Sequence, residues 1–213
     1  MREKKVIRVV AGQPVVDGAG VRLVRVLGRD TVEAFDPFLM LDSFDSDNPE
    51  DYVRGFPMHP HRGIETITYL VRGKIIHEDS LGNRGAIEDG GTQWMTAGSG
   101  ILHAEMPQPS ERMLGLQLWL NLPRRDKMTE PKYFDIARED VAVVEKDGYT
   151  VRIVSGSFEG SRGAKTSHIQ ATVMEILLAA GAEIELGADP EENSFLFLLE
   201  GDISIGAERY REK

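Results

Sequence analysis

Residues 57–71 read Pro-Met-His-Pro-His-Arg-Gly-Ile-Glu-Thr-Ile-Thr-Tyr-Leu-Val, and Arg72-Gly73 follows them. The last eight of these residues, Ile64 to Val71, are rich in β-branched and aromatic side chains, which is typical of a β-strand. The glycine behind them predicts a tight turn, and residues 74–77, which read Lys-Ile-Ile-His, predict the second strand of a hairpin. The stretch therefore predicts sheet structure, with two histidines placed just before the strand.

The rest of the chain also predicts short strands. Residues 114–122 alternate leucine with other residues at a period of two, and the mostly apolar runs 151–154, 171–178 and 195–199 are further strand candidates. Helical periodicity is confined to one short turn within 136–144. The 22 glycines and 10 prolines divide the 213 residues into short pieces. Together these features predict an all-β protein, either a sandwich or a barrel.

Composition excludes several classes of protein. Cysteine is absent, so the chain has no disulfide, thiolate nucleophile or iron–sulfur cluster, and a metal would need His, Asp or Glu ligands. The 25 Lys and Arg against 35 Asp and Glu leave a net charge of -10, which argues against direct binding of nucleic acid. No uninterrupted apolar run is longer than residues 176–180, which are too few to cross a bilayer, so we expect no membrane association and a cytoplasmic location.

One weak internal repeat suggests the domain organisation. Tyr69-Leu-Val-Arg-Gly-Lys-Ile resembles Phe197-Leu-Leu-Glu-Gly-Asp-Ile. A true repeat would imply two related barrels in tandem, at residues 1–133 and 145–213, with a polar connection between them.

The offset of this repeat makes two further predictions. The second half has no histidine pair at the equivalent positions, so only the first barrel is expected to bind metal. The equivalent of His103 would fall beyond residue 213, so the second barrel is expected to be incomplete. Its exposed strand edges could pair with a second chain, and the oligomeric state is left open.

Two short motifs carry four groups suited to binding a metal. His59 and His61 are two residues apart, as are His103 and Glu105, and alternate residues of a strand point to the same face. On facing strands, the two pairs would bring three imidazoles and one carboxylate to one point. The same alternation places Glu65 on the ligand face. Alternation alone therefore does not decide whether Glu65 or Glu105 is the carboxylate ligand.

The alternation also predicts what lines the pocket. Ile67 and Tyr69 would continue the ligand face into a barrel lumen, and Ile101 would join them from the other strand. His77 could line the pocket or be structural, and Arg62 could neutralise acidic groups at the mouth or face solvent. Such a lumen suits a small apolar or aromatic molecule. The plainer alternative is that the paired histidines are structural or exposed residues.

The motifs resemble those of the cupin superfamily. They are Gly55-x3-His59-Pro-His61-x3-Glu65-x7-Gly73 and Gly98-x-Gly100-x2-His103. The fuller text is similar to the pirin family, most densely from residue 35 to residue 133, in the segments 35–44, 57–66, 93–107, 115–122 and 131–133. The resemblance implies tandem cupin jelly-roll barrels, and because pirins are longer it again implies an incomplete second barrel.

The resemblance also implies a ligand set. In pirins two histidines of the first motif and the histidine and glutamate of the second hold the metal, which corresponds here to His59, His61, His103 and Glu105. Glu65 would then be a residue that orients a ligand imidazole. One divalent ion is expected, Fe(II) before others, although the same ligands accept Mn, Co, Ni, Cu or Zn.

Two functions follow from the resemblance. Some pirins are similar in activity to quercetin 2,3-dioxygenases, which implies an oxygenase that opens a flavonol or similar enol with O2, with Glu105 as general base. Other pirins are iron-dependent regulators that bind a transcription factor or a metabolic enzyme. The four ligands serve both functions equally. A third hypothesis is that the incomplete second barrel leaves a poorly folded chain with neither activity.

Overall fold

The computed structural model describes residues 4–212, and nearly all of their regular structure is β-strand. Its first eleven strands are β1 (Gln13–Asp17), β2 (Val21–Leu27), β3 (Phe38–Ser46), β4 (Phe56–His61), β5 (Ile64–Arg72), β6 (Lys74–Asp79), β7 (Arg84–Ile87), β8 (Thr92–Thr96), β9 (Ile101–Gln108), β10 (Met113–Asn121) and β11 (Lys132–Ile136). Among the residues that the structure describes, helical structure is limited to α1 (Val32–Phe35) and two 3-10 turns, Pro49–Asp51 and Arg138–Asp140. Across residues 4–212 no helix has the length and apolar character needed to cross a membrane.

These eleven strands form two antiparallel sheets that pack face to face. The larger sheet has the order β1-β2-β3-β10-β5-β8-β11, and the smaller has the order β4-β9-β6-β7. One buried cluster joins side chains of both sheets, with Val21, Phe44, Leu70 and Met113 from the larger and Ile75 and Ile87 from the smaller. The result is a β-sandwich whose core lies between the sheets.

A third sheet covers the outer face of β5. It consists of β12 (Ala142–Lys146), β13 (Tyr149–Ser155) and β16 (Val173–Leu178), beside the short pair β14 (Ser157–Phe158) and β15 (Ser161–Arg162). Tyr69 on β5 packs against Ile136, Val141 and Val154, so β5 is covered on both faces. This explains why Glu65 to Leu70 are all buried rather than alternately exposed.

The chain divides into two compact units. One runs from Gly12 to Ile184 and contains β1–β16. The other combines the described residues up to Ala11 with those from Glu185 onward, and its strands β17 (Asp202–Ile205) and β18 (Glu208–Arg211) form a hairpin. The first unit continues through residues 133–145, where a domain boundary was predicted. The division into domains 1–133 and 145–213 stays a prediction.

The strand predictions at 64–71, 114–122, 151–154 and 171–178 are confirmed by β5, β10, β13 and β16. The predicted hairpin around Gly73 is wrong, because β5 and β6 belong to different sheets. Gly73 has φ +111°, and the chain crosses there from one sheet to the other.

The predicted strand at 195–199 is also wrong. Those residues join no sheet in the part of the chain that the structure covers, and Leu196 is largely exposed. The hairpin of this region lies wholly after Gly201, so the apparent repeat matches different structures in the two halves.

Candidate metal centre

Three histidines converge at one end of the smaller sheet. β4 and β9 are neighbouring strands, with His59 directly opposite His103 in the ladder and His61 opposite Ile101. The two motifs thus lie side by side in one sheet rather than on facing strands. Ligand nitrogens of His59, His61 and His103 lie within 4.8 Å of one another.

The proton arrangement of these histidines leaves lone pairs for a metal. His59 Nδ1 lies 2.9 Å from the carbonyl oxygen of Pro57, which can only accept, so His59 donates from Nδ1 and keeps a bare Nε2. That Nε2 lies 3.0 Å from His61 Nε2. His103 Nε2 is buried and has no hydrogen-bond partner, which is costly unless another group binds it. The donor set therefore fits a divalent transition-metal ion.

Burial keeps two of the imidazoles uncharged. Burial, together with the neighbouring imidazoles, lowers the pKa of His61 to about 4 and that of His103 to about 3. At neutral pH both rings are therefore neutral, which is the form that binds a metal.

Glu105 lies beside the three imidazoles and is held from across the sandwich. Its Oε2 is 4.0 Å from His103 Nε2, and the residue is buried. Oε1 accepts a hydrogen bond from Thr68 Oγ1 at 3.1 Å, and Oε2 accepts one from Gln117 Nε2 at 2.7 Å. Because Thr68 and Gln117 belong to β5 and β10 of the larger sheet, they tie the carboxylate to the opposite wall. Glu105 is thus close enough to complete a set of three imidazoles and one carboxylate.

Glu65, Ile67 and Tyr69 lie on the other face of β5. Thr68 points to Glu105, so the residues on either side of it point away from the site. Tyr69 packs against the third sheet, and Glu65 accepts a hydrogen bond from Thr96 Oγ1 at 2.8 Å. The predictions that Glu65 shares the ligand face and orients an imidazole, and that Ile67 and Tyr69 line the lumen, are therefore wrong.

The physical reason is the turn between β4 and β5. β4 ends at His61, Gly63 has φ +70°, and β5 begins at Ile64 in the opposite sheet. Side-chain alternation holds within a strand and does not continue through such a turn. Burial raises the pKa of Glu65, although hydrogen bonds to its carboxylate act in the opposite direction.

The remaining predicted residues divide between site and surface. Ile101 is buried on the ligand side of β9, beside Met95 and Ala97. Arg62 is exposed, with Nη2 3.1 Å from Met128 Sδ, which matches its solvent-facing alternative. His77 is fully buried, and its Nδ1 lies 3.4 Å from His103 Nδ1.

Sequence reasoning missed several residues of the site. On β10 the leucines lie on the face away from the site, and between them Gln117 contacts Glu105 and Trp119 contacts His61. The Trp119 ring lies 4.9 Å from that of His61 at 78°, and its Nε1 is buried without a hydrogen-bond partner. The signal that could have found them was the polar Gln117 among alternating leucines, since a buried polar side chain needs a partner.

Comparison with known proteins shows which family the chain resembles. Residues 20–120 match the family model described as Pirin. A pirin-like protein of Caulobacter vibrioides is 44% identical over 209 residues, which cover 96% of this chain and 76% of that protein. The chain belongs to the pirin family. Another relative of this pirin-family chain, from Pseudomonas aeruginosa, is provisionally named a quercetin 2,3-dioxygenase and is 44% identical over 98% of this chain and 75% of its own length.

A solved structure confirms the predicted cupin fold. Quercetin 2,3-dioxygenase from Acinetobacter baumannii is 33% identical and superimposes with a TM-score of 0.68. The match covers 78% of this pirin-family chain and 61% of that one.

Proposed function

We propose that this pirin-family chain is a metal-dependent oxygenase, with Fe(II) as the metal, which opens the ring of a flavonol or a similar enolic aromatic with O2. The observation that carries the proposal is the meeting of three imidazoles with a buried carboxylate tied to the opposite sheet. The quercetin 2,3-dioxygenase of Acinetobacter baumannii supports the choice of reaction class.

The ligands would be His59, His61, His103 and Glu105. His103 would bind through its unpartnered Nε2, and His59 through the Nε2 left bare by its bond to Pro57. When bound, the ion would supply Lewis acidity toward the substrate oxygen and one-electron chemistry toward dioxygen.

The substrate would approach from the side of His59 and His61, which are both partly exposed. The alternative lies deeper, beside Glu105, where a cavity of about 10 Å³ has room for roughly one water molecule. A flavonol does not fit there. At the histidine end, the partly exposed ring of Trp119 offers an aromatic face next to His61.

Glu105 would accept the enolic proton of the substrate. Its two hydrogen-bond partners differ in what they allow, because the Gln117 amide nitrogen can only donate, whereas the Thr68 hydroxyl can rotate and accept. A proton taken up by Glu105 could therefore rest on Oε1 and be donated to Thr68 Oγ1, while Gln117 keeps its bond to Oε2. Thr68 would thus let the carboxyl hold the proton without losing its position.

The test is oxygen uptake with quercetin on untagged, iron-loaded protein. Glu105→Gln is expected to lower turnover by roughly 10²–10⁴-fold, the range for loss of a general base. Iron content is measured on the same samples, with His61→Ala as the variant expected to lose the metal. Full turnover by iron-loaded Glu105→Gln would contradict the role of Glu105.

An iron-dependent regulator that binds a protein partner is the second candidate. The small cavity beside Glu105 favours it, because a regulator needs no enclosed space for a substrate. Stoichiometric iron without oxygen uptake on quercetin or other enols would support this function over the oxygenase.

A further inference from the structure

A buried chain of three side chains runs from the metal site into β6. In the ladder between β6 and β9, Asp79 lies opposite His103 and His77 lies opposite Glu105. His103 Nδ1 is 3.4 Å from His77 Nδ1, and His77 Nε2 is 3.4 Å from Asp79 Oδ2. His77, Asp79 and His103 are all buried, so no bulk water competes for these contacts.

Asp79 determines which atoms donate and which accept in this series of hydrogen bonds. Its Oδ1 accepts from the backbone N–H groups of Leu81 and Asn83 at 2.9 and 3.0 Å, and its Oδ2 accepts from Asn83 Nδ2 at 2.8 Å. Burial acts to raise the pKa of Asp79, but the hydrogen bonds outweigh it and hold the pKa below its ordinary value. Asp79 is therefore a carboxylate that can only accept, and His77 must donate from Nε2.

The ring nitrogen that carries the proton on His77 determines which nitrogen carries it on His103. When His77 carries a single ring proton, that proton lies on Nε2 and the lone pair on Nδ1, so His77 Nδ1 accepts and His103 Nδ1 donates. His103 is then bare at Nε2, the same atom that is buried without a partner and points to the other histidines. One arrangement of protons thus satisfies every contact and leaves the ligand nitrogen free.

The ring of His77 is also held in place. The Tyr133 ring stacks on it with centroids 4.4 Å apart and planes at 17°, and Tyr133 Oη donates to Asp135 Oδ2 at 2.6 Å. Gly85, opposite His77 in the ladder with β7, leaves room for this tyrosine, because a side chain there would overlap its hydroxyl.

We propose that His77 and Asp79 are positioning residues that fix the tautomer and ring orientation of His103, so that Nε2 is its metal ligand atom before any ion binds. The proposal rests on the metal site of the proposed function and not on the reaction. It replaces Glu65, the residue that the sequence predicted for this role, with a partner on β6.

The tautomers of the metal-free protein are the first test. Long-range ¹H–¹⁵N spectra of the full chain are expected to show His103 protonated at Nδ1 and His77 at Nε2. In Asp79→Asn the amide oxygen would face the N–H groups of Leu81 and Asn83, and the amide nitrogen would donate to His77. Both tautomers should then reverse, placing a proton on His103 Nε2.

Zinc affinity is the second test, measured by competition with a chromophoric chelator so that no oxygen chemistry enters. Asp79→Asn is expected to bind Zn²⁺ roughly 10–100-fold more weakly, the usual effect of losing a partner behind a metal ligand. His77→Phe keeps the stack on Tyr133 but removes the acceptor, and it should weaken Zn²⁺ similarly. Asp45→Asn, which alters an exposed ion pair with Arg112, is the matched control and should bind like the wild type.

The outcomes separate the two proposals. A wild type with His103 protonated at Nε2, or Asp79→Asn and His77→Phe with wild-type zinc affinity, would overturn the positioning role and leave the metal site standing. A wild type with the expected tautomers but no affinity for Zn²⁺ would overturn the metal site itself.

Discussion

At the scale of single residues, the centre depends on imidazoles kept neutral by burial. In the unfolded chain each of these histidines takes up a proton near pH 6.5, whereas in the folded chain the pKa lies at about 4 for His61 and about 3 for His103. The same burial that prepares the nitrogens for a metal therefore makes the metal-free protein sensitive to acid.

The free energy of unfolding of the metal-free protein is expected to fall as pH decreases from about 6.5 toward 4. Over this window the unfolded chain binds protons that the folded chain excludes, so each of the two histidines removes up to about 1.4 kcal/mol per pH unit. Urea unfolding in the presence of a chelator measures this slope. His61→Gln should flatten it, and an equal slope in the variant would contradict the assignment.

How far the site could be predicted also depends on single residues. His59, His61, His103 and Glu105 follow from spacing within β4 and β9, because alternation is a local property of a strand. Glu65 does not, because Gly63 turns the chain between sheets before β5 begins. Thr68 and His77 act on Glu105 and His103 through contacts between strands distant in sequence, and no local pattern encodes these.

At the scale of the elements, β5 carries two different environments on its two faces. Thr68 faces the metal site, whereas Glu65 is buried on the outer face, with Oε1 bonded to Thr96 and Oε2 without a hydrogen-bond partner. A buried carboxyl of this kind prefers to be protonated, and burial raises its pKa. Its charge at neutral pH therefore opposes folding.

Glu65→Gln is expected to raise the free energy of unfolding at pH 7 by on the order of 1 kcal/mol, because the amide can keep the hydrogen bond from Thr96 Oγ1 without a charge to bury. The gain should shrink as the pH is lowered, since the burial that raises the pKa of Glu65 favours its uncharged form. Zinc affinity should not change, because Glu65 lies on the far side of the strand. A large loss of Zn²⁺ binding would restore Glu65 to the site.

At the scale of the whole molecule, the third sheet is part of the unit that contains the metal site. Tyr69 is covered by Ile136, Val141 and Val154, all of which follow residue 133. A chain ending at residue 133 would also cut β11 after its second residue. The all-β class could be predicted from short apolar runs and glycine turns, but this cover could not, because it depends on contacts far apart in sequence.

Residues 1–133 alone are therefore expected to lack the cooperative unfolding of residues 12–184. The reason is the apolar face of β5 that the shorter chain would expose to water. Thermal unfolding followed by near-UV circular dichroism compares the two fragments with the full chain. Equal, cooperative transitions for 1–133 and the full chain would support the predicted boundary instead.

The contact between Trp119 and His61 has a practical consequence. The chain contains only two tryptophans, and the indole of Trp119 lies 4.9 Å from a ligand imidazole while Trp94 stacks near Phe134, 6.2 Å between ring centroids. Trp119 is thus an intrinsic fluorophore beside the site. In a Trp94→Phe background the remaining tryptophan emission would come from one fluorophore next to the proposed metal site, so binding and release of an ion would be followed optically, in real time and without a label.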